Sequence, residues 1–253
     1  MPMDLSEFDD RFLASFVLGS PDYDAQLYAI RGLLRLHGQA DEALSNEIKA
    51  IEAFAKRASG SANERAIDDW VDHLHQSVFQ DAAHSMAAVG MLAPFVESLF
   101  KQAFPGIRDL WDRNGRAPIP HARWTMPKDK QWDCRRASPD RPHLVDGIAE
   151  LADATGLAAD LPADLHKTLA ALFGYRNKMF HLGFEWPDNE RSAFERRIVT
   201  DGWPQGWFSQ ATSDGKPWVF YLSDTFVQHC LATVDQIFAG LGAFVRRNDC
   251  AQS

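Results

Sequence analysis

The chain is poor in cysteine. Only Cys134, Cys230 and Cys250 occur among 253 residues, far apart in the sequence and without a Cys-x-x-Cys pair. A disulfide framework usually uses an even set of cysteines, and a cysteine zinc site uses closely spaced pairs, so we expect neither. Sparse, unpaired thiols are typical of a reducing compartment, and we expect a cytoplasmic protein.

Long hydrophobic runs and a basic leader are also lacking. The first twenty residues contain the acidic side chains Asp4, Glu7, Asp9 and Asp10 instead of a basic segment followed by an apolar core. No stretch approaches the 18 or so uncharged apolar residues that a membrane span requires. We therefore predict no secretory signal, no transmembrane helix and no membrane partner.

Familiar motifs of metal and phosphate chemistry are missing as well. The sequence has no glycine-rich phosphate loop, no G-x-S-x-G and no H-E-x-x-H. Segment 68–75 places aspartates and histidines at helical spacing, but it has no third ligand set. Acidic residues near a helix start are favoured by the helix dipole, so we interpret this segment as a solvated face. We expect no metal and no cofactor.

Positive charge is scarce and unevenly distributed. The net charge is −9, and residues 1–104 carry 8 Lys/Arg against 16 Asp/Glu. Residues 105–142 are the exception, with 9 Lys/Arg against 5 Asp/Glu. Because affinity for phosphate depends on Lys and Arg contacts, any contact with a nucleic acid must be local and transient.

Apolar residues recur at helical spacing through most of the chain. This pattern predicts a mainly α fold with helices at 4–18, 22–38, 41–56, 62–104, 143–156, 161–182 and 224–247. Pro94 should kink or split the longest helix, and Pro105-Gly106 should end it.

Two segments interrupt the helical pattern. Residues 105–142 contain six prolines and three tryptophans and predict a long ordered insertion with one short helix at 106–113. Residues 196–222 are rich in aromatic and β-branched residues around turn material at 213–217, which predicts a β-hairpin. We divide the chain at Ser59-Gly60-Ser61 into an N-terminal helical extension, 1–60, and a helical bundle, 61–253.

The segment from Gly174 to Gly183 carries the most chemistry. It places Arg176, Asn177 and His181 at the end of an apolar helical run. An arginine followed by a histidine after five to seven positions occurs four times, at Arg31/His37, Arg116/His121, Arg136/His143 and Arg176/His181. Only Arg176 is followed by an amide and lies on a strongly predicted helix between two glycines.

Helix geometry constrains this group. Asn177 and His181 are four residues apart and share a face, so the amide could hydrogen-bond and orient the imidazole. Arg176 lies five residues before His181, roughly 140° around the helix, so the two do not converge on one chain. A two-fold axis beside this helix would bring together Arg176 and His181 from two copies.

The pattern Arg-Asn-x-x-x-His on an all-helical chain resembles the HEPN superfamily (higher eukaryotes and prokaryotes nucleotide-binding), over about residues 62–247. The resemblance implies a HEPN-like helical bundle, here with an inserted β-hairpin and an extra N-terminal helical unit. Many members are metal-independent endoribonucleases that act as homodimers in toxin–antitoxin and defence systems. Others are non-catalytic modules that bind nucleotides or proteins.

The resemblance also implies roles for individual residues. His181 would exchange protons with RNA, Arg176 would bind the scissile phosphate, and Asn177 would orient His181, leaving a 2′,3′-cyclic phosphate. Among their neighbours, we expect three further contacts to substrate, from Tyr175, Lys178 and Arg191. The partners would be RNA, a second copy of the chain and an antitoxin protein.

Two alternatives remain open at the level of sequence. One is a non-catalytic HEPN-like module that binds nucleotide or protein or mediates dimerisation. The other is a helical scaffold in which Arg176 and His181 only satisfy carbonyls at a helix end. His84, on the longest helix, is expected to be an interior histidine that could approach Arg176 and His181.

Overall fold

Residues 7–138 and 141–249 are described by a computed structural model. Their helices and strands are α1 (Asp10–Leu18), α2 (Tyr23–Ala55), α3 (Ser61–Arg113), β1 (Arg136–Ser138), β2 (Arg141–Pro142), α4 (Leu144–Thr155), α5 (Leu165–Leu182), α6 (Asp188–Thr200), β3 (Phe208–Ser213), β4 (Lys216–Leu222) and α7 (Asp224–Asp249). The predicted mainly α fold with a small hairpin is confirmed. The predicted helix start at Asp4, and Cys250, lie outside the described residues.

The chain forms two compact units that are discontinuous in sequence. The first contains Met1–Tyr23, Leu92–Gly174 and Gln228–Ser253, and the second contains Asp24–Met91 and Tyr175–Val227. The linker that the sequence places at Ser59-Gly60-Ser61 is the turn between α2 and α3, and it falls inside the second unit.

Glycines allow very close helix packing in the first unit. A Cβ atom on Gly106 would lie 2.0 Å from the carbonyl oxygen of Val17 in α1, and one on Gly242 would lie 2.0 Å from that of Asp10. The prediction that Pro105-Gly106 ends the long helix is wrong, because α3 continues to Arg113. Gly106 is needed for the contact with α1, and the packing of α3 outweighs the helix bond that Pro105 removes.

The proline-rich segment of the first unit is organised around Arg123, which is fully buried. Its guanidinium donates to the carbonyl oxygens of Lys130, Gln131, Asp133 and Arg136, and it pairs with Glu150 of α4 at 3.3 Å. Three tryptophan rings pack together beside it, namely Trp111, Trp124 and Trp132. The predicted short helix at 106–113 is instead the end of α3.

An antiparallel pair formed by α2 and the first half of α3 belongs to the second unit. Contacts between the two helices join Ala55 to Asn63, Glu47 to His73, and Asp41 to Gln80 and His84. The predicted break between residues 38 and 41 is wrong, because α2 is continuous. Gly38 is an isolated glycine between good helix formers, and one such residue does not end a helix.

The β-hairpin also belongs to the second unit. Strands β3 and β4 pair antiparallel around Asp214 and Gly215, whose φ angles are 51° and 75°. Two consecutive residues with positive φ are typical of a type I′ hairpin turn. The register shifts opposite Pro217, which cannot donate a ladder hydrogen bond. The predicted hairpin began too early, since residues 196–200 are the end of α6.

One helix is long and apolar enough to span a membrane by length and composition. It is α3, in which a window of 18 residues has a mean hydropathy of 1.2, and half of that window is buried inside the structure. Core helices of soluble proteins meet the same criterion, so this helix gives only weak support to a membrane location.

Candidate functional site

The Arg176–His181 group occupies the last turns of α5. The helix ends where Gly183 adopts a positive φ of 73° and donates its N–H to the carbonyl oxygen of Met179 at 3.0 Å. This left-handed glycine is the usual helix stop, because other residues are strained in that conformation. The structure thus places His181 in the final turn, where the helix opens to solvent.

Tyr175 forms the buried base of the site. Its side chain is 0 % exposed, and its hydroxyl donates to the carbonyl oxygen of Phe220 at 2.9 Å. The rings of Trp186, Phe194 and Phe208 surround it. Burial raises the pKa of Tyr175 far above its ordinary value, so the phenol stays neutral. The expected contact of Tyr175 with substrate is therefore wrong, because the residue anchors α5 to the hairpin instead.

Arg176 lies half-buried against an aromatic ring. Its guanidinium is centred 5.4 Å from the ring centroid of Phe180, within the range of a cation–π contact. One guanidinium nitrogen, Nη1, lies 3.3 Å from Oδ1 of Asn177. The Nε atom is buried and has no hydrogen-bond partner among the described residues. No carboxylate within the described ranges pairs with Arg176, so its charge is available to an anion.

Gly90 of α3 makes room for the ring that supports Arg176. A Cβ atom at Gly90 would lie 3.3 Å from the tip of the Phe180 ring, which is tighter than most real contacts. Phe180 and Gly90 were not identified as site residues from the sequence. The spacing of four between Arg176 and Phe180 was a signal, since such pairs meet on a helix surface.

Asn177 is exposed and does not orient His181. Its Oδ1 accepts from Arg176, and no hydrogen bond joins it to the imidazole in the part of the chain that the structure describes. The expected Asn177–His181 contact is therefore wrong for the isolated chain. The amide oxygen instead contacts the guanidinium of Arg176.

His181 differs from every other histidine in the chain. All nine lie within the described ranges, and eight of them make a hydrogen bond, ion pair or ring contact: His37, His73, His75, His84, His121, His143, His166 and His229. His181 is exposed and makes none with a described residue. In the three competing Arg/His pairs, the histidine is already engaged. The imidazole of His181 is therefore accessible to a ligand.

Lys178 and Arg191 are occupied within the chain. Lys178 forms an ion pair with Glu190 of α6. Arg191 pairs with Asp188, and its Nη1 lies 3.3 Å from the carbonyl oxygen of Trp218. Contact with a substrate phosphate would require these pairs to open, so neither residue is positioned as the sequence predicted. Arg176 is the cation that the structure leaves available beside His181.

A second polar cluster lies between α2 and α3. Asp41 accepts hydrogen bonds from Gln80 and His84, each at 2.9 Å, and the ring of His84 stacks on His37 at 4.5 Å. Burial, followed by the charge of Asp41, raises the pKa of Asp81 from 3.8 to about 6. Burial and His84 lower the pKa of His37. This cluster was not identified from the sequence.

The described residues form no metal site, and the Cys134 thiol is not reactive. Within the described ranges, no group of three or more His, Cys, Asp or Glu side chains is arranged to hold a metal ion. The two histidines of segment 68–75 point elsewhere, since His73 contacts Glu47 and His75 contacts the ring of Trp218. Burial raises the pKa of Cys134 to about 11, so its thiol stays protonated near neutral pH.

The arrangement at the end of α5 therefore offers one free imidazole and one guanidinium without a carboxylate partner. An imidazole can accept or donate a proton near neutral pH, and a guanidinium binds phosphate oxygens. No family model, curated protein or solved structure matches this chain. The function must therefore be inferred from the geometry of these side chains.

Proposed function

We propose that the chain is a metal-independent endoribonuclease of HEPN type, acting as a toxin or defence effector on RNA. The observation that carries the proposal is the free imidazole of His181, the one histidine of nine without a described contact. It lies in the same helix end as Arg176, whose guanidinium has no carboxylate partner in the described structure. An exposed imidazole can come within hydrogen-bond reach of a bound substrate, and a guanidinium without a carboxylate partner can bind a phosphate.

The proposed reaction is an internal transfer at phosphorus. The 2′-oxygen of RNA attacks the adjacent phosphorus, the bond from phosphorus to the 5′-oxygen breaks, and a 2′,3′-cyclic phosphate and a 5′-hydroxyl result. His181 takes the proton from the 2′-hydroxyl or gives one to the departing 5′-oxygen. Arg176 binds the phosphate oxygens and stabilises the charge that develops on them. Asn177 holds the guanidinium through Oδ1.

A second copy of the chain completes the proposed site. Arg176 and His181 lie roughly 140° apart around α5, so one chain does not aim both at one phosphate. Phe180 and Leu182 flank His181 and leave apolar surface exposed, with Phe180 at 52 %. Exposed apolar residues around polar groups are typical of an interface. A two-fold axis here would cover both residues and pair each Arg176 with the partner copy's histidine.

The first test is cleavage of a mixed RNA pool in the presence of EDTA. We expect Arg176→Ala and His181→Ala each to lower the rate by about 10²–10⁴, the usual contribution of such groups. Matched controls are Arg196→Ala, an exposed arginine on α6, and His166→Ala, a histidine at the start of α5. Both controls should keep wild-type activity. Equal rates for wild type and the Arg176/His181 double variant would refute the proposal.

Mixing the two inactive variants tests whether the site is shared. If Arg176 of one copy acts with His181 of the other, each mixed dimer keeps one intact site. Random exchange should then restore about a quarter of the wild-type rate. No recovery on mixing, while wild type is active, would place both residues in a site within one chain.

A non-catalytic binding module is the second candidate. It is favoured by the internal ion pairs of Lys178 and Arg191, which leave little free positive charge near Arg176 to hold a long RNA. This candidate predicts that RNA or a nucleotide binds without being cleaved. It also predicts that Arg176→Ala weakens binding while His181→Ala leaves binding unchanged.

A further inference from the structure

An apolar stripe on the first half of α3 is partly exposed to solvent. Ile67, Val71 and Leu74 are 44 %, 39 % and 36 % exposed. They follow one another at spacings of four and three residues, so they lie on one face of the helix. We call this set the α3 stripe. Three adjacent exposed aliphatic side chains at helical spacing differ from the scattered apolar residues that any surface carries.

The same face of α3 is covered further along the helix. Val71, Val78 and Ser85 are seven residues apart and therefore share this face. Ser85 is buried, and its hydroxyl accepts from the backbone N–H of Leu222 in β4 at 2.8 Å. Val78 is half-buried, and Val71 is exposed. The α3 stripe thus continues a packing face beyond the point where the hairpin stops covering it.

Unpaired carboxylates border the α3 stripe. Glu64 and Asp68 lie one turn before Ile67 and Val71 on the same side of the helix. Both are exposed, and neither has an ion-pair partner among the residues described. Residues 39–84 as a whole carry nine Asp/Glu against four Lys/Arg. A second copy of this acidic face would be repelled, whereas a basic surface would be attracted.

We propose that the α3 stripe is the docking surface for a partner protein helix whose apolar face is bordered by Lys and Arg. The partner's aliphatic residues pack on Ile67, Val71 and Leu74, and its cations pair with Glu64 and Asp68. This is helix addition to a two-helix hairpin, driven by burial of apolar area and oriented by charge. The surface is independent of the Arg176–His181 site and of the reaction proposed there.

The probe for this proposal is a synthetic amphipathic helix of about five turns, with leucine on one face and lysine at both borders of that face. We expect it to bind the full chain in fluorescence anisotropy, and to bind less tightly as salt rises. Val71→Asp should weaken binding by about tenfold or more, because it places a charge at the centre of the contact. Val199→Asp is the matched control, a valine that is 72 % exposed on α6, and it should bind as wild type does.

Charge reversal separates this proposal from general stickiness. The double variant Glu64→Lys, Asp68→Lys should lose the lysine-bordered peptide and gain a peptide of the same design bordered by glutamate. Equal binding of both peptides by wild type would overturn the proposal, as would an unchanged affinity in Val71→Asp. A third result would also overturn it: wild type self-associates in sedimentation, Val71→Asp abolishes that association, and the peptide does not bind. That result would assign the α3 stripe to a second copy.

Discussion

Asp81 provides a sharp test of the electrostatics between α2 and α3. Its carboxyl group is half-buried, and its pKa of about 6 lies above the ordinary 3.8, chiefly because of burial and then because of the charge of Asp41. Asp224 adds to the rise, and His84 opposes it. A raised carboxyl pKa means that the ionised form costs stability in the folded state. The cost is fully present above pH 6, shrinks as the pH falls through 6, and disappears below 3.8.

The size of this cost follows from linkage. Moving the pKa of Asp81 from 3.8 to about 6 corresponds to at most about 3 kcal/mol of unfolding free energy. Solvent reaches part of the side chain and screens the charges around it, so we expect about 1–2 kcal/mol. In a chain of this length, that equals about 3–6 °C in melting temperature.

The perturbation is Asp81→Asn, which keeps the shape of the side chain and removes its charge. At pH 8 this variant should melt about 3–6 °C above wild type, and the difference should vanish near pH 4. Thermal unfolding followed by circular dichroism between pH 4 and pH 8 measures both values. Asp72→Asn, an exposed aspartate on the same helix, is the control and should give the same small difference at every pH. A gain that is equal at pH 4 and pH 8, or a loss at pH 8, would refute the reasoning.

Two further predictions concern Arg123 and Gly106 of the first unit, with Gly32 of the second unit as a comparison, and each is measured as a free energy of unfolding in denaturant. Arg123→Met should lower the free energy of unfolding by about 3–5 kcal/mol, because it leaves Glu150 unpaired and several buried carbonyl groups without a donor. Arg135→Met, which removes an exposed ion pair, should lower it by less than about 1 kcal/mol. Equal losses in the two variants would argue against the role given to buried Arg123. Gly106→Ala should destabilise by more than about 2 kcal/mol, since the new methyl group meets backbone. Gly32→Ala should stabilise the protein by about 0.5–1 kcal/mol, because nothing lies within 4 Å of a new Cβ and alanine favours the helix. A change of the same sign in the two glycine variants would contradict the packing described.

The helices that the sequence predicted well are those with one apolar face. The final helix was expected at 224–247 and is observed at Asp224–Asp249, because its apolar residues recur at helical spacing along its whole length. The helix α6 was missed because Phe194 is its single buried residue, so it has no stripe to detect. Ion pairs within α6 and at its end, namely Arg191 with Asp188 and Arg197 with Asp201, stabilise it instead.

The candidate site was predicted only in part. The identities of Arg176 and His181 came from the sequence, and the structure distinguishes His181 from the histidines of the three competing pairs. The burial of Tyr175 and the pairing of Lys178 with Glu190 depend on the packing of α6 and the hairpin on α5. Such contacts join residues far apart in the chain, and helical spacing carries no information about them.

The aromatic base beneath Tyr175 has a consequence for the thermodynamics of ligand binding. Five rings from α5, α6, the hairpin and the segment between α5 and α6 hold the backbone of α5 in place before any ligand arrives: Tyr175, Trp186, Phe194, Phe208 and Phe220. In the proposed site, a ligand would therefore have to immobilise the side chains of Arg176 and of the partner copy's His181, and no backbone of α5. The conformational entropy lost on binding is about 0.5–1.5 kcal/mol for each side chain. Calorimetry of a phosphate-containing ligand should accordingly find a small entropic penalty, and one that grows when the rings are trimmed.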